Sequence, residues 1–128
     1  MKLLLDTHAF IWLNDNPLQL SEKIIAMCYS GEHKFSLSIA SAWEMQIKSQ
    51  LGKLDLSMPV GELIETNINE NNIYLLPITL SDIEQLEKLP LHHKDPFDRI
   101  IIAQAMLGDF TIVSIDSAFA NYNIPVIW

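Results

Sequence analysis

An α/β fold with a mainly parallel sheet covered by helices on both faces is what this chain predicts. Short apolar, β-rich runs alternate with longer helical stretches along the 128 residues, strand then helices, repeatedly. The strand candidates are apolar runs of the kind buried on both faces. Hydrophobic residues make up 49% of the chain, enough for a continuous core without disulfides or a structural metal. There is no internal repeat, low-complexity stretch or Pro/Gly/Ser-rich linker, so one domain over 1–128 is expected.

Leu3–Leu5 is a short buried strand ending at Asp6. A helix from His8 to Asn14 carries Phe10, Ile11 and Leu13 and stops at the turn-forming Asn14-Asp15-Asn16-Pro17. Ser21 opens a second helix through Ile24, Ile25 and Cys28, closed near Gly31. Lys34–Ser38 is a strand, followed by a helix from about Ile39 to Leu51 with Gly52 just past its end. Pro59 begins a helix with Leu63, Ile64 and Ile68 on one face. Ile73–Ile78 reads as a strand despite Pro77, and it leads into a helix bearing Ile83, Leu86 and Leu89. Asp95-Pro96 opens a helix to Gly108 that is apolar on nearly all sides and therefore central. Thr111–Ile115 is a buried strand, Asp116–Ala120 a helical turn and Pro125–Trp128 a terminal strand.

Charge and composition narrow the function. Eight Lys plus Arg against sixteen Asp plus Glu leave a net charge of −8, the wrong sign for gripping nucleic acid by bulk charge alone. Such a chain acts on phosphates only if metal ions stand between its carboxylates and the substrate; the same acidity suits a basic partner, or simply solubility. The lone Cys28 is expected to be a small core hydrophobe in a reducing cytoplasm. The runs Leu3–Leu5 and Ile100–Ile102 are far too short for a signal-peptide core or a membrane span. No Gly-rich phosphate loop is present.

Four acids stand at element junctions: Asp6 after the first strand, Glu44 early in the helix after the second, Asp98 in the first turn of the central helix, and Asp116 after the fourth strand. Singly, each has a structural explanation. Asp6 and Asp116 read as N-caps, Ser41-Ala-Trp-Glu44 as a capping box with Glu44 paired to Lys48, and Asp95-Pro-Phe-Asp98 as cap, proline and dipole-favoured acid. Together they say more, because caps can equally be Ser, Thr or Asn. In a parallel sheet these junctions share the edge where ligands bind, so the carboxylates converge and raise one another's pKa unless a cation sits among them. Hard oxygen donors without Cys or a His pair point to Mg²⁺ or Mn²⁺ rather than zinc, and such an ion polarises a phosphoryl oxygen and activates water. Phosphodiester hydrolysis is the reaction that uses this set. Arg99, the only arginine, is expected to form an ion pair with Asp98 or Asp95; holding substrate phosphate is the alternative.

Leu3-Leu-Leu-Asp6-Thr7, Ser41-Ala-Trp-Glu44, His93-Lys-Asp-Pro-Phe-Asp98-Arg-Ile-Ile-Ile-Ala-Gln-Ala105 and Ile112-Val-Ser-Ile-Asp116 resemble, in order and spacing, the PIN-domain ribonucleases, specifically VapC-like toxins. The resemblance implies a three-layer α/β/α fold, endonucleolytic cleavage of RNA, inhibition by a cognate antitoxin and homodimerisation. It makes Asp6 and Asp98 the principal metal ligands, with Glu44 and Asp116 completing the pocket directly or through water. Ser114 keeps the hydroxyl where many relatives have Thr. Asp95 is an additional acid that also reads as a cap. Thr7 reads as a cap too, with a hydrogen bond to substrate or a ligand carboxylate as the second reading.

His8 is expected to be structural, and His92 and His93 to be loop residues that can touch RNA. Lys48, Lys53 and Lys94 are the nearest cations to the acids, although solvated surface is the default for each. Trp12 and Trp43 read as core or interface rather than stacking platforms. An antitoxin is expected to lay an amphipathic helix in an apolar groove between the early helices, or to present Arg or Lys to the acids. Two rivals differ in class. A silent binding module would lack some of the acids, which are all here. An aspartyl phosphatase would need a second Asp where His8 stands.

Overall fold

The computed structural model describes residues 1–128. In chain order its elements are β1 (Lys2–Leu5), α1 (Thr7–Asp15), α2 (Glu22–Ser30), β2 (Lys34–Ser38), α3 (Ile39–Gln50), α4 (Val60–Asn71), β3 (Tyr74–Leu76), α5 (Leu80–Gln85), α6 (Pro96–Gly108), β4 (Thr111–Val113) and β5 (Val126–Ile127), with three short 3₁₀ turns. The five strands form one parallel sheet in the order β3-β2-β1-β4-β5. The chain fills one side of β1 first and then jumps to the other, so the strand order reverses between β1 and β4.

Side-chain alternation in β1 splits the core in two. Leu3 and Leu5 join Phe10, Ile24, Met45, Leu63 and Val113 on one face. Leu4 joins Ile101, Ile102, Ile112 and Phe119 on the other. Both faces are therefore sealed, giving the three-layer α/β/α arrangement. Each fully buried Phe10 or Phe119 side chain contributes about 1.5–3 kcal/mol by leaving water. The edge strands β3 and β5 are only three and two residues long, which limits pairing with other chains. No helix is long and apolar enough to cross a membrane.

Several expectations are corrected in detail. α3 starts at Ile39 under a Ser38 cap whose hydroxyl accepts from the Ala40 amide at 3.0 Å, so Ser41 and Glu44 lie inside the helix and form no capping box. On α4 the buried position is Asn67, while Ile68 is 39% exposed, because Asn67 spans to Asn14 and to the Leu63 carbonyl, each at 2.8 Å. α6 is buried only over Ile101–Ala105; Leu107 is half exposed. Ile115 falls beyond β4 and is exposed, and Ile83 also faces out. Trp43 is 63% exposed and meets Phe97 edge-on, so it belongs to the surface and not the core.

Candidate active site

The chain leaves the carboxyl end of each inner strand directly into a helix or turn, and this coincidence places the acids. Asp6 continues β1, its amide bonding the Val113 carbonyl of β4 at 3.1 Å, and its Oδ1 caps α1 by accepting from the Ala9 amide at 2.7 Å. Its Oδ2 accepts a short bond from the Ser114 hydroxyl. Ser114 Oγ in turn accepts from the Asp116 amide at 3.0 Å. This chain of bonds bridges β1 and β4 at the point where strand order reverses, the place where ligands bind in open α/β sheets. Asp116 caps the adjoining 3₁₀ turn through Oδ1 and is otherwise exposed.

Glu44 reaches the same edge from the second turn of α3. Its Oε1 accepts from the Thr7 hydroxyl at 2.6 Å, and its Oε2 pairs with Lys48 at 2.6 Å. A hydroxyl has one proton, so with Thr7 donating to the carboxylate, Ser41 Oγ, 2.9 Å away, donates to Thr7. Thr7 thus holds a carboxylate, the second of its two expected roles; the cap of α1 is Asp6. Lys48 is held above its ordinary pKa, first by its hydrogen bond to Glu44 and further by the charges of Asp95 and Asp98.

Asp95 caps α6, its Oδ1 accepting from the Phe97 and Asp98 amides at 2.9 and 3.2 Å. Asp98, one turn in, has its carboxyl pushed up to about 6. Burial is the main cause, opposed by a hydrogen bond with His93 and reinforced by the neighbouring Asp95 and Glu44 charges. Burial likewise raises Asp6, against the lowering effect of its bonds from Ser114 and Ala9. These are the marks of carboxylates crowded in a low-dielectric cleft with too little positive charge.

The acids are not equivalent. Donor atoms of His93, Asp98 and Asp116 lie within 4.8 Å of one another, whereas Asp6 and Glu44 stand outside that set, each of their oxygens accepting one hydrogen bond. Arg99 makes no ion pair. Its guanidinium instead donates to the carbonyls of Pro90 (2.9 Å), His93 (3.3 Å) and Leu86 (3.3 Å), tying the segment before α6 to the helix. His93 was expected only as a loop residue able to touch RNA, yet its Nε2 lies 2.7 Å from Asp98 Oδ2. Its place five residues before Asp98, beside the Asp95-Pro96 break, was the available signal, since a chain turning sharply into a helix folds back on the first turn. His8 is exposed next to Asp6, and Lys53 is also exposed.

A family model described as the PIN domain matches residues 3–125. The chain belongs to the PIN domain family. The family is one of nucleases, with toxins of toxin–antitoxin systems among its members. This PIN domain resembles in fold a chain of VapBC2 from Rickettsia felis bound to a DNA fragment from their promoter, at 12% identity and a TM-score of 0.73 over 99% of this chain and 98% of that one. DNA-bound VapBC from Salmonella typhimurium gives a TM-score of 0.71 at 13% identity, over 99% and 97% of the two chains. VapBC-1 from nontypeable Haemophilus influenzae gives 0.67 at 18% identity, again over 99% and 97%. At these identities the likeness is one of fold. No curated protein matches this chain by sequence.

Proposed function

We propose that this PIN domain, a single domain over 1–128, is a metal-dependent endoribonuclease and the VapC-like toxin of a cytoplasmic toxin–antitoxin pair. The observation that carries the reading is the group of acids at the β1/β4 reversal. Asp98 is raised to about 6 and Asp6 is raised as well, among Asp95, Glu44 and Asp116, with Lys48 the one lysine bonded to any of these acids. The donor set of carboxylate oxygens suits Mg²⁺ or Mn²⁺. Asp6 and Asp98 would be the principal ligands of the ion, with Glu44 and Asp116 completing the pocket directly or through water. When bound, the ion supplies a polarised phosphoryl oxygen and an activated water.

The chain's own residues do the rest. Ser114 and the Ala9 amide fix the Asp6 carboxylate between them. Thr7 and Lys48 fix Glu44 at the other side of the cleft. Asp95 stays a cap whose charge adds to the site, and Arg99 holds the preceding loop in place without touching phosphate. Lys48 and Lys94 are the cations nearest an approaching RNA backbone. With so few of them, affinity is weak and salt-sensitive, and selectivity rests on the ion site.

Two apolar surfaces suit the expected partners. A recess of about 360 Å³ between α1, α2 and the end of α4, lined by Leu13, Leu20, Ile25, Cys28, Phe35 and Ile73, suits an amphipathic antitoxin helix. The exposed Trp43, edge-on to the half-buried Phe97 beside the site, suits a homodimer contact. Cleavage of a structured RNA by the purified chain in Mg²⁺ or Mn²⁺, against EDTA and alongside Asp6→Asn, tests the activity. Cutting that needs the ion and is abolished by Asp6→Asn is expected. A folded chain that cuts no RNA and binds no divalent ion would be a silent binding module instead.

A further inference from the structure

We infer that His93 is a nitrogen donor to the divalent ion of this site, making it a mixed imidazole–carboxylate centre that favours Mn²⁺ over Mg²⁺. The inference rests on the proposed ion site and adds to it a residue and a metal preference.

Three observations support it. First, donor atoms of His93, Asp98 and Asp116 lie within 4.8 Å of one another, so the imidazole stands among the carboxylates of the site. Second, Asp98 and Asp116 each keep an oxygen without a hydrogen bond, Asp98 meeting His93 through Oδ2 and Asp116 capping its turn through Oδ1. An ion would take the place of the proton shared by His93 Nε2 and Asp98 Oδ2, which is released to solvent.

Third, the His93 backbone is fastened from two sides. Its amide donates to the Tyr122 hydroxyl at 2.9 Å, and that hydroxyl donates to the Pro90 carbonyl at 2.9 Å. Arg99 bonds the His93 and Pro90 carbonyls from α6. The imidazole also stands nearly perpendicular to the fully buried Phe119 ring, with centroids 6.3 Å apart. A chain with one arginine directs its guanidinium to backbone oxygens of this loop and not to an acid. A histidine meeting Asp98 by chance would need none of this. A ligand held to a working position does.

The chemistry of the donors then sets the metal. Mg²⁺ prefers an all-oxygen octahedral shell, whereas imidazole nitrogen is a good ligand for first-row transition ions. Removing the nitrogen should weaken Mn²⁺ binding more than Mg²⁺ binding.

Mn²⁺ added below one equivalent to the full chain, read by electron spin echo spectroscopy, tests this. The wild type should show nitrogen hyperfine coupling on bound Mn²⁺. His93→Gln, checked by circular dichroism to be folded, should bind Mn²⁺ without that coupling, and His8→Gln and His92→Gln should keep it. Coupling absent from the wild type while Mn²⁺ binds and RNA is cut would overturn the His93 assignment alone. Coupling retained in His93→Gln would do the same. Wild type that binds no Mn²⁺ would overturn the assignment and the nuclease reading together.

Discussion

Replacing Asp98 with Asn should stabilise the ion-free protein near neutral pH while removing its function. In the folded chain the Asp98 carboxyl titrates at about 6 against an ordinary 3.8, chiefly because it is buried. A carboxyl whose pKa rises on folding holds its proton more tightly in the native state than in the unfolded one. Its favourable contribution is thus complete below about pH 4 and is lost as the pH climbs through about 6. The shift corresponds to an energy on the order of 2–3 kcal/mol, carried by the wild type as a penalty at pH 7.5.

Asn removes that penalty and keeps an amide oxygen for the bond to His93 Nε2, so the packing around the side chain is preserved. For a domain of this size, 2–3 kcal/mol is a rise in Tm of roughly 6–15 °C. The assay is thermal unfolding of both proteins in EDTA from pH 4 to 8. Asp98→Asn should melt higher at pH 7.5, and the two curves should converge toward pH 4. Saturating Mn²⁺ at about 100 Kd should then add about 2.7 kcal/mol to the wild type and much less to the variant, narrowing or reversing the order. A variant less stable than the wild type at pH 7.5, or a gap that does not close on acidification, would refute the argument that burial of an uncompensated charge dominates this position.

Other perturbations separate the supporting contacts. Thr7→Val deletes the hydroxyl that donates to Glu44 at 2.6 Å and should cost about 1.5–3 kcal/mol in urea unfolding, whereas Thr7→Ser should recover most of it. Arg99→Lys cannot reach the Pro90, His93 and Leu86 carbonyls together, so amide exchange over residues 86–93 should quicken while α6 stays protected. Gly108→Ala would drive a Cβ into the Phe110 ring, which is itself buried; denaturant titration should report a loss of about 1–3 kcal/mol.

What the sequence determined by itself was whatever depends on neighbours along the chain. The start of α6 at Asp95-Pro96, the Ser21 cap and Gly31 stop of α2, and the extent of β2 were all legible, because proline geometry, capping and left-handed glycine are local effects. The parallel sheet was legible from the recurrence of apolar runs between helices, and the positions of the acids from their junctions. Only the tertiary structure decided what each side chain touches. Ser114 and Asp6 meet across 108 residues, and Thr7 and Glu44 across 37. Arg99 finds carbonyls instead of acids because the loop before α6 brings the Leu86, Pro90 and His93 oxygens to it at once, and His93 reaches Asp98 by the same fold-back. Pairings of this kind cost loop-closure entropy that only the assembled core repays, so no window of sequence contains the information that selects them.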